Sequence, residues 1–337
     1  MVSGKVSADR SNTEFPVTFV DIQSASERIR NIALTTPLLR SPALDERTGA
    51  TVLIKPECLQ RSGSFKFRGA YNSLSSIPIE SRRYGVVACS SGNHAQGVAA
   101  SAKILGMLAT IVMPADAPQI KLERTRGYGA TVITYDRKTE DREAIADKIR
   151  AETGATLVHP YNDPAVIAGQ GTVGLELANQ AKVLGIQLDD VFACTGGGGL
   201  SSGIALALAE TSPTTIFHTC EPAGFDDYKR SLEAGKRLAN ASNTGSICDA
   251  LMAECPGEIG FSILKRLAGE GVSVTDEEVL DAVAFAFTEL KLVVEPGGAA
   301  ALAAVLTGKL PIAGKSIGLV LTGGNIDPKM LLNAVDR

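Results

Sequence analysis

Short apolar runs rich in β-branched residues alternate with longer stretches of helical spacing along most of this chain. The runs begin at residues 52, 85, 109, 130, 156, 190, 215 and 316. Helical spacing of apolar residues occupies 20–32, 93–106, 141–152, 171–185, 201–210, 276–290 and 297–308. Because the short runs lack polar alternation and are separated by helices, they indicate parallel strands covered on both faces. The pattern therefore predicts a doubly wound α/β fold with open, mostly parallel twisted sheets.

The spacing of these runs also predicts two domains. At 337 residues the chain exceeds the length of one average domain. Three or four strand-helix repeats follow closely between residues 85 and 162, which favours a small self-contained sheet. We expect residues 1–84 and 163–337 to form a large, discontinuous domain and residues 85–162 to form the small one. Since no low-complexity linker separates the two domains, we expect the chain to pass between them twice and to leave a cleft between their sheets.

Charge and composition exclude several classes of function. Lys and Arg number 33 against 37 Asp and Glu, a net charge of −4 without a basic run, so we expect no nucleic-acid partner. No segment has about 18 consecutive apolar residues, and the first 25 residues contain no apolar core of signal-peptide length. We therefore expect no membrane span and a cytoplasmic location. The six cysteines form no CxxC pair and the three histidines lack metal-ligand spacing, which argues against zinc catalysis and a serine-histidine-acid triad.

One lysine has an unusual setting. In SGSFKFRGAY, Lys66 lies between Phe65 and Phe67. An apolar setting and a helix N-terminus both disfavour the ammonium form, as a nucleophilic amine requires. The alternative is a helix that begins at Ser62 or Ser64, with Phe65 buried and the Lys66 amine extended to solvent. The motif alone leaves both interpretations open.

Two loops that follow predicted strands have the composition of anion sites. Ligands of open α/β sheets bind beyond the carboxyl ends of the strands. The loop CSSGNHAQG, residues 89–97, would present N–H groups and hydroxyls to a carboxylate, or its serines and asparagine would only cap the next helix. The loop CTGGGGLSSG, residues 194–203, has four consecutive glycines. Ordering them costs backbone entropy, and close contact between main-chain amides and a phosphate is the best compensation for that cost.

A dinucleotide site is the alternative for the glycine loop. The pattern GxGxxG fails, because Ser201 and Ser202 stand where its last glycine belongs. Glu221 does follow about twenty residues later, as a ribose-binding acid would. A nicotinamide enzyme therefore stays open as an alternative at this point.

The motifs SGSFKFRGA, SSGNHAQG, GGGGL, EPGGAA and TGGN occur in this order, with HPYNDPAVIAGQGT between the second and the third. Together they resemble the pyridoxal-phosphate enzymes of the tryptophan synthase β fold (fold type II), particularly the threonine/serine dehydratase and serine racemase group. The resemblance runs from about residue 20 to the C-terminus. It implies two open, mostly parallel sheets in two domains, an active site in the cleft between them, and pyridoxal 5′-phosphate as the cofactor.

The resemblance assigns cofactor contacts residue by residue. Lys66 would hold the cofactor covalently, and Phe65 would pack near its ring. Asn93 would reach the 3′-oxygen, and Thr322 of TGGN would place a hydroxyl at the pyridine nitrogen. The other residues assigned to the cofactor are Gly196, Gly197, Gly198 and Gly199 at the 5′-phosphate, and Glu295 of EPGGAA.

The implied reaction is an ammonia-lyase reaction on a 3-hydroxy amino acid of the L-threonine, L-serine or 3-hydroxyaspartate class, which gives a 2-keto acid. Lys66 would remove the Cα proton. Racemases of this group carry a serine at the position of Ser91, so racemisation with Lys66 and Ser91 as opposing bases is an alternative. A third hypothesis is a catalytically silent cofactor or amino-acid sensor. The substrate carboxylate would dock on Ser90, Ser91, Gly92, Asn93 and His94.

The resemblance also implies a divalent cation, Mg²⁺ or Ca²⁺, held by Glu221, the carbonyl of Phe225 and Asp227. The alternative is a capped loop with two solvated acids. The expected partners are a small amino-acid substrate and a second copy of the chain in a homodimer, with neither nucleic acid nor membrane.

Substrate preference is the least determined feature of the sequence. Arg142, in TEDREAI, matches an arginine of the serine racemase group that lies near the cleft. It would pair with a second carboxylate such as that of 3-hydroxyaspartate. The alternative is a helix-surface arginine beside Glu140 and Asp141.

Overall fold

The computed structural model of the protein describes residues 15–117, 119–242 and 244–337. The first 14 residues, on which part of the expectation of no signal peptide rests, lie outside the described residues. The strands are β1 Thr51–Pro56, β2 Val86–Cys89, β3 Ala109–Pro114, β4 Thr131–Tyr135, β5 Thr156–Leu157, β6 Asp190–Cys194, β7 Ile216–Pro222, β8 Val272–Val274 and β9 Ser316–Leu321. The helices are α1 Phe19–Ile29, α2 Pro42–Thr48, α3 Lys66–Ser76, α4 Asn93–Leu105, α5 Gln119–Gly127, α6 Arg142–Thr153, α7 Pro164–Val183, α8 Gly199–Thr211, α9 Asp227–Ala234, α10 Glu258–Leu267, α11 Asp276–Thr288, α12 Pro296–Leu306 and α13 Pro328–Val335.

The strands form two sheets in which the described neighbours pair in parallel. The larger sheet has five strands in the order β1-β9-β6-β7-β8, and the smaller has four in the order β4-β3-β2-β5. The predicted α/β fold with two mostly parallel sheets is confirmed. All four strands of the smaller sheet lie within residues 86–157. The boundaries of the two domains, at 84/85 and 162/163, stay a prediction.

Both faces of each sheet are covered by helices. In the larger sheet, alternate strand residues pack on one side against α11 and α12, and on the other against α7, α8 and α10. In the smaller sheet, one face packs against α3 and α4 and the other against α6. Burial on both faces explains why the strand segments are apolar without alternation. Within the described part of the chain, no helix combines the length and apolar character that a membrane crossing requires.

Several elements were not evident from the sequence. Strand β8 has three residues, which is too short for a periodic pattern. Helix α5 carries charged residues around most of its surface and lacks an apolar stripe. Helix α7 begins at Pro164, a turn or more before the predicted start at residue 171, because Asp163 caps its first N–H groups and proline favours the first helical position.

Helix α3 begins at Lys66, so the interpretation that it begins at Ser62 or Ser64 is wrong. Ser62 has a left-handed φ of 56°, and Ser64 is extended and pairs with Gly323. No side chain caps α3, whose N-cap position is Phe65. The chain therefore turns sharply before Lys66 and places it in the first turn of the helix.

A buried ionic cluster anchors this helix to the larger sheet. The Arg68 guanidinium donates to both carboxylate oxygens of Glu57, at 2.7 and 2.8 Å, and to both oxygens of Glu176, at 2.7 and 2.9 Å. The amine of Lys55 donates to Glu176 at 2.7 Å and to the carbonyl of Thr36 at 2.7 Å. Arg68, Glu57 and Lys55 are essentially inaccessible to solvent. The cluster fixes α3, β1 and α7 relative to one another.

Helices α3 and α7 cross in close contact at two glycines. A Cβ on Gly69 would lie 2.7 Å from the Val166 carbonyl oxygen, and a Cβ on Gly169 would lie 2.6 Å from the Arg68 carbonyl oxygen. The chain passes from the larger sheet to the smaller one after α3, and it returns through α7. The outgoing and returning connections are therefore held side by side.

Candidate active site

A cleft of about 630 Å³ lies where loops at the carboxyl ends of strands from both sheets meet. The smaller sheet contributes the segments after β2 and β5, and the larger sheet contributes those after β6 and β9. Lys66 opens onto this cleft from the start of α3. The placement follows the general rule for ligand sites in open parallel sheets.

The Lys66 amine is held inside the cleft. Its Nζ donates a 2.7 Å hydrogen bond to the carbonyl oxygen of Pro160 and lies 5.1 Å from the centre of the Phe65 ring. Part of the side chain is accessible from the cleft, yet the amine lies deep enough for burial to lower its pKa to about 7. Much of the amine is therefore unprotonated near neutral pH, as a nucleophile or base requires.

The glycine loop presents unused N–H groups at the start of α8. In the part of the chain that the structure describes, the N–H groups of residues 196–199 have no acceptor. A Cβ on Gly197 would overlap the ring of Tyr161, and a Cβ on Gly198 would overlap the hydroxyl of Tyr228. Gly198 also has a φ of 90°, which favours glycine.

These loop features fit a phosphate. Four free N–H groups at a helix N-terminus form an anion site, and the helix dipole adds to it. The lack of side chains lets a ligand approach the backbone of the loop, which packs closely against Tyr161 and Tyr228. The residues present therefore fit a phosphate-bearing cofactor attached at Lys66.

The loop after β2 presents a second group of free N–H groups to the cleft. No side chain caps α4, so the interpretation of its serines and asparagine as helix caps is wrong. The Ser90 hydroxyl accepts the N–H of Gly92 at 3.2 Å and shapes the turn. Among the described residues, the N–H groups of Ser91, Asn93 and His94 have no acceptor. They can bind a carboxylate.

His94 is neutral. Its Nε2 lies 2.9 Å from the carbonyl oxygen of Val158, so Nε2 carries the proton and Nδ1 is an unprotonated acceptor. Burial and the neighbouring Lys66 lower the pKa of His94 to about 3. His94 therefore adds no positive charge to the loop.

The side chains assigned to the cofactor ring converge near Lys66. The Asn93 amide donates to the Glu295 carboxylate and accepts a 2.7 Å hydrogen bond from the amide of Asn325. Burial raises the pKa of Glu295 to about 7. Thr322 lines the same cleft, with its hydroxyl beside the thiol of Cys194. The loops after β2, β5, β6 and β9 thus bring together residues that are far apart in the sequence.

Arg142 is the first residue of α6, and its half-exposed side chain lines the cleft. Its guanidinium has a loose contact, 3.8 Å, with the Glu143 carboxylate. The two neighbouring acids accept backbone N–H groups instead, Asp141 as the cap of α6 and Glu140 in the preceding turn. The guanidinium is therefore available to a ligand in the cleft.

The residues assigned to a cation lie together outside the cleft. Glu221 and Asp227 are fully buried, so the alternative of two solvated acids is wrong. Glu221 accepts two N–H groups from the first turn of α9, each at 2.8 Å. Asn240 donates to Oδ1 of Asp227 at 2.7 Å, whereas Oδ2 is buried without a partner. Phe225 is buried in the turn between the acids. Across the described ranges, no three His, Cys, Asp or Glu side chains come together as a metal cluster.

The segment HPYNDP is among the sequence motifs, but sequence reasoning gave no role to His159 or to the carbonyl of Pro160. This segment follows β5 and contributes His159, Pro160 and Tyr161 to the cleft. The rule that selected the other loops, proximity to the carboxyl end of a strand, applies here as well. The signal was present, but β5 has two residues and its end is difficult to locate from sequence.

The fold and the site define a class of protein. A lysine of lowered pKa and a glycine loop with free N–H groups line one cleft between two parallel sheets. This is the arrangement of enzymes that hold a phosphate-bearing aldehyde cofactor on a lysine.

The chain belongs to the family described as pyridoxal-phosphate dependent enzyme, whose sequence model matches residues 29–323. It is 43% identical to the L-threo-3-hydroxyaspartate ammonia-lyase of Pseudomonas sp over 91% of this chain and 95% of that protein. It is 42% identical to the serine racemase of Schizosaccharomyces pombe over 92% of this chain and 94% of that protein.

Solved structures of the same group share the fold. The T.th. threonine deaminase superposes with a TM-score of 0.87 at 43% identity, covering 92% of this chain and 99% of that chain. Maize serine racemase superposes with a TM-score of 0.89 at 36% identity, covering 95% of this chain and 97% of that chain. The predicted family, fold type and cofactor are confirmed, and the protein is an ammonia-lyase of the threonine/serine dehydratase type. The nicotinamide and sensor alternatives are set aside.

Proposed function

We propose that this enzyme deaminates a 3-hydroxy amino acid with a second carboxylate, of which L-threo-3-hydroxyaspartate is the representative. The observation that carries the proposal is Arg142, whose half-exposed guanidinium lines the cleft with no close ion pair among the described residues. A planar guanidinium matches a carboxylate in geometry and charge. Two relatives, 43% and 42% identical to this chain, are named L-threo-3-hydroxyaspartate ammonia-lyase. Elimination of water from this substrate gives an enamine, and hydrolysis of its imine form consumes one water and releases ammonia to give oxaloacetate.

Each group of residues in the cleft would have a separate role in the reaction. The N–H groups of the glycine loop would hold the cofactor phosphate, and Thr322 would face the ring nitrogen. Bound pyridoxal phosphate supplies the electron sink that makes the Cα proton acidic. The free N–H groups at the start of α4 would bind the α-carboxylate of the substrate. Lys66, as a neutral amine, would remove the Cα proton.

The role of Arg142 is tested by Arg142→Gln. Removing a charge-assisted contact costs about 1.5–3 kcal/mol, so kcat/KM for L-threo-3-hydroxyaspartate should fall by roughly 10- to 100-fold. The value for L-serine, which has no second carboxylate, should change by less than about threefold. Arg150→Gln is the matched control, because Arg150 also lines the cleft from α6 but pairs with Asp147 at 2.9 Å. A wild-type preference for L-serine or L-threonine, or equal losses on all substrates, would contradict the proposal.

Racemisation is a second candidate activity, and Ser91 favours it. Its side chain lines the cleft without capping α4, and it makes no hydrogen bond with the described residues. With Lys66 as the other base, this hydroxyl would exchange a proton on the opposite face of Cα. We expect Ser91→Ala to abolish any formation of D-serine from L-serine while keto-acid formation continues. Chiral chromatography of the reaction mixture measures both products, and unchanged D-serine formation would refute the two-base mechanism.

We propose a structural Mg²⁺ or Ca²⁺ at Glu221, Asp227 and the carbonyl of Phe225. The observation that supports it is the buried Oδ2 of Asp227, which has no partner among the described residues, beside a second buried carboxylate. Carboxylate and carbonyl oxygens suit hard cations. Millimolar Ca²⁺ or Mg²⁺ should raise the melting temperature of the wild type by about 2 °C or more, and that of Asp227→Asn by much less. Equal shifts in the two proteins would place the cation elsewhere.

The homodimer and the cytoplasmic location stay predictions. Sedimentation velocity of the purified protein tests the first, since a dimer of the 35.1 kDa chain has twice the monomer mass.

A further inference from the structure

His159 lies on the segment between β5 and α7 and lines the cleft, half-buried, beside Lys66 and Arg142. Its Nδ1 faces two backbone donors, the N–H of Asn162 at 2.9 Å and that of Tyr161 at 3.3 Å. The ring packs edge-on against the ring of Tyr161, with centroids 4.6 Å apart. The imidazole is therefore fixed in position and in orientation.

These contacts determine which ring nitrogen carries the proton. Because Nδ1 accepts two N–H groups, it cannot itself be protonated, so the hydrogen of the neutral ring is on Nε2. Burial and the neighbouring Lys66 and Arg142 lower the pKa of His159 to about 4, which agrees with a neutral ring. Nε2 makes no hydrogen bond with the described residues and is not enclosed by them. A fixed, uncharged donor therefore faces the cleft.

The His159 ring, with its Nε2–H donor, lies close to Lys66, the proposed base for the Cα proton. The carbonyl of the next residue, Pro160, is 2.7 Å from Nζ of Lys66, the atom placed to remove the Cα proton. The N–H groups of the α4 loop take the α-carboxylate, and Arg142 suits a charged group. With both charged groups of the substrate bound elsewhere, the oxygen on Cβ is the remaining acceptor for the neutral donor of His159.

We propose that His159 is a substrate-binding residue that donates its Nε2–H to the β-hydroxyl oxygen of the substrate. The inference rests on the proposed function, since it requires a 3-hydroxy amino acid as substrate. The hydrogen bond orients the Cβ–O bond and draws electron density from it. No proton leaves His159, because loss of the Nε2 hydrogen from a neutral ring would leave an imidazolate.

Two substitutions of His159 distinguish the role of the Nε2–H as a donor to the substrate from the role of Nδ1 as the acceptor for the turn. In His159→Asn, the amide oxygen can take the place of Nδ1 and accept the two N–H groups, but nothing replaces the Nε2–H. In His159→Gln, the amide nitrogen reaches the place of Nε2 and restores the donor, while the acceptor for the turn is lost. A purely structural histidine would tolerate asparagine better than glutamine, and a substrate-binding one would show the reverse.

The measurement compares two substrates that differ in the group on Cβ. L-Serine has a β-hydroxyl, whereas β-chloro-L-alanine has a chloride, which leaves without a hydrogen-bond donor. We expect the ratio of kcat/KM for L-serine to that for β-chloro-L-alanine to fall about tenfold in His159→Asn and to stay within about threefold of wild type in His159→Gln. Melting temperatures of the holoenzymes report on the turn separately.

An unchanged ratio in His159→Asn would overturn the proposal, and so would an equal fall of the ratio in both variants. If the wild type formed no keto acid from L-serine or L-threo-3-hydroxyaspartate, the proposed function itself would fail. That outcome is visible in the wild type alone, so the two failures are distinguishable.

Discussion

Lys66→Ala is expected to lower the rate of keto-acid formation by several orders of magnitude. In the proposed assignment, the substitution removes both the covalent attachment of the cofactor and the base for the Cα proton. General acid–base assistance alone accounts for about 10²- to 10⁴-fold, so loss of both roles should exceed that range. The glycine loop and Thr322 remain, and the variant should still bind the cofactor noncovalently. Ammonia release and the absorbance of the bound cofactor measure the two properties.

A second lysine of the cleft provides the control. Lys121 lines the cleft but forms an ion pair with Asp249, so Lys121→Ala should retain most of the activity. Borohydride reduction of the wild-type holoenzyme followed by peptide mapping should locate the cofactor on Lys66. Near-native ammonia release by Lys66→Ala, or a label on another lysine, would refute the assignment.

Arg68→Met is expected to reduce the free energy of unfolding by about 3–5 kcal/mol, the usual cost of removing one partner of a buried ion pair. The substitution leaves Glu57, which has no solvent access, without its bidentate partner. Burial alone would raise the pKa of Glu57, but the charge and hydrogen bonds of Arg68 lower it. The stability that Glu57 contributes is therefore present above its usual pKa of 4.5 and is lost as the pH falls through the lowered value.

Equilibrium unfolding in urea at pH 7 measures this loss. Arg150→Met serves as the control, because the exposed pair of Arg150 with Asp147 should contribute less than about 1 kcal/mol. A loss below about 1 kcal/mol for Arg68→Met would show that Lys55 compensates for the missing guanidinium. The ionic cluster would then have little effect on stability.

Features that depend on local sequence were predictable. A strand buried on both faces must be apolar throughout, and a loop that packs this closely against Tyr161 and Tyr228 must lack side chains. Both requirements act on consecutive residues, so the strands other than β8 and the glycine loop could be located from the sequence alone. The start of α3 could not, because it depends on the left-handed backbone at Ser62 and on a pairing of Ser64 with Gly323.

Features that depend on distant contacts were not predictable from the residues. The hydrogen bond from Lys66 to Pro160 joins residues 94 apart, and that from Asn93 to Glu295 joins residues 202 apart. Burial of Glu221 and Asp227 is also a tertiary effect. The acidic segment that contains them is typical of a solvated loop when it is considered alone.

The crossing of α3 and α7 at Gly69 and Gly169 has a consequence for how such enzymes diversify. The stretch between the two helices carries the α4 loop, Arg142 and His159, whereas Lys66, the glycine loop and Thr322 are encoded outside it. Recombination between related genes, with one junction in each of these helices, would therefore exchange the proposed substrate-binding residues together. Lys66, the glycine loop and Thr322 would be inherited unchanged and only Asn93 of the proposed cofactor contacts would be exchanged, so a new substrate preference can arise with most of the cofactor site retained.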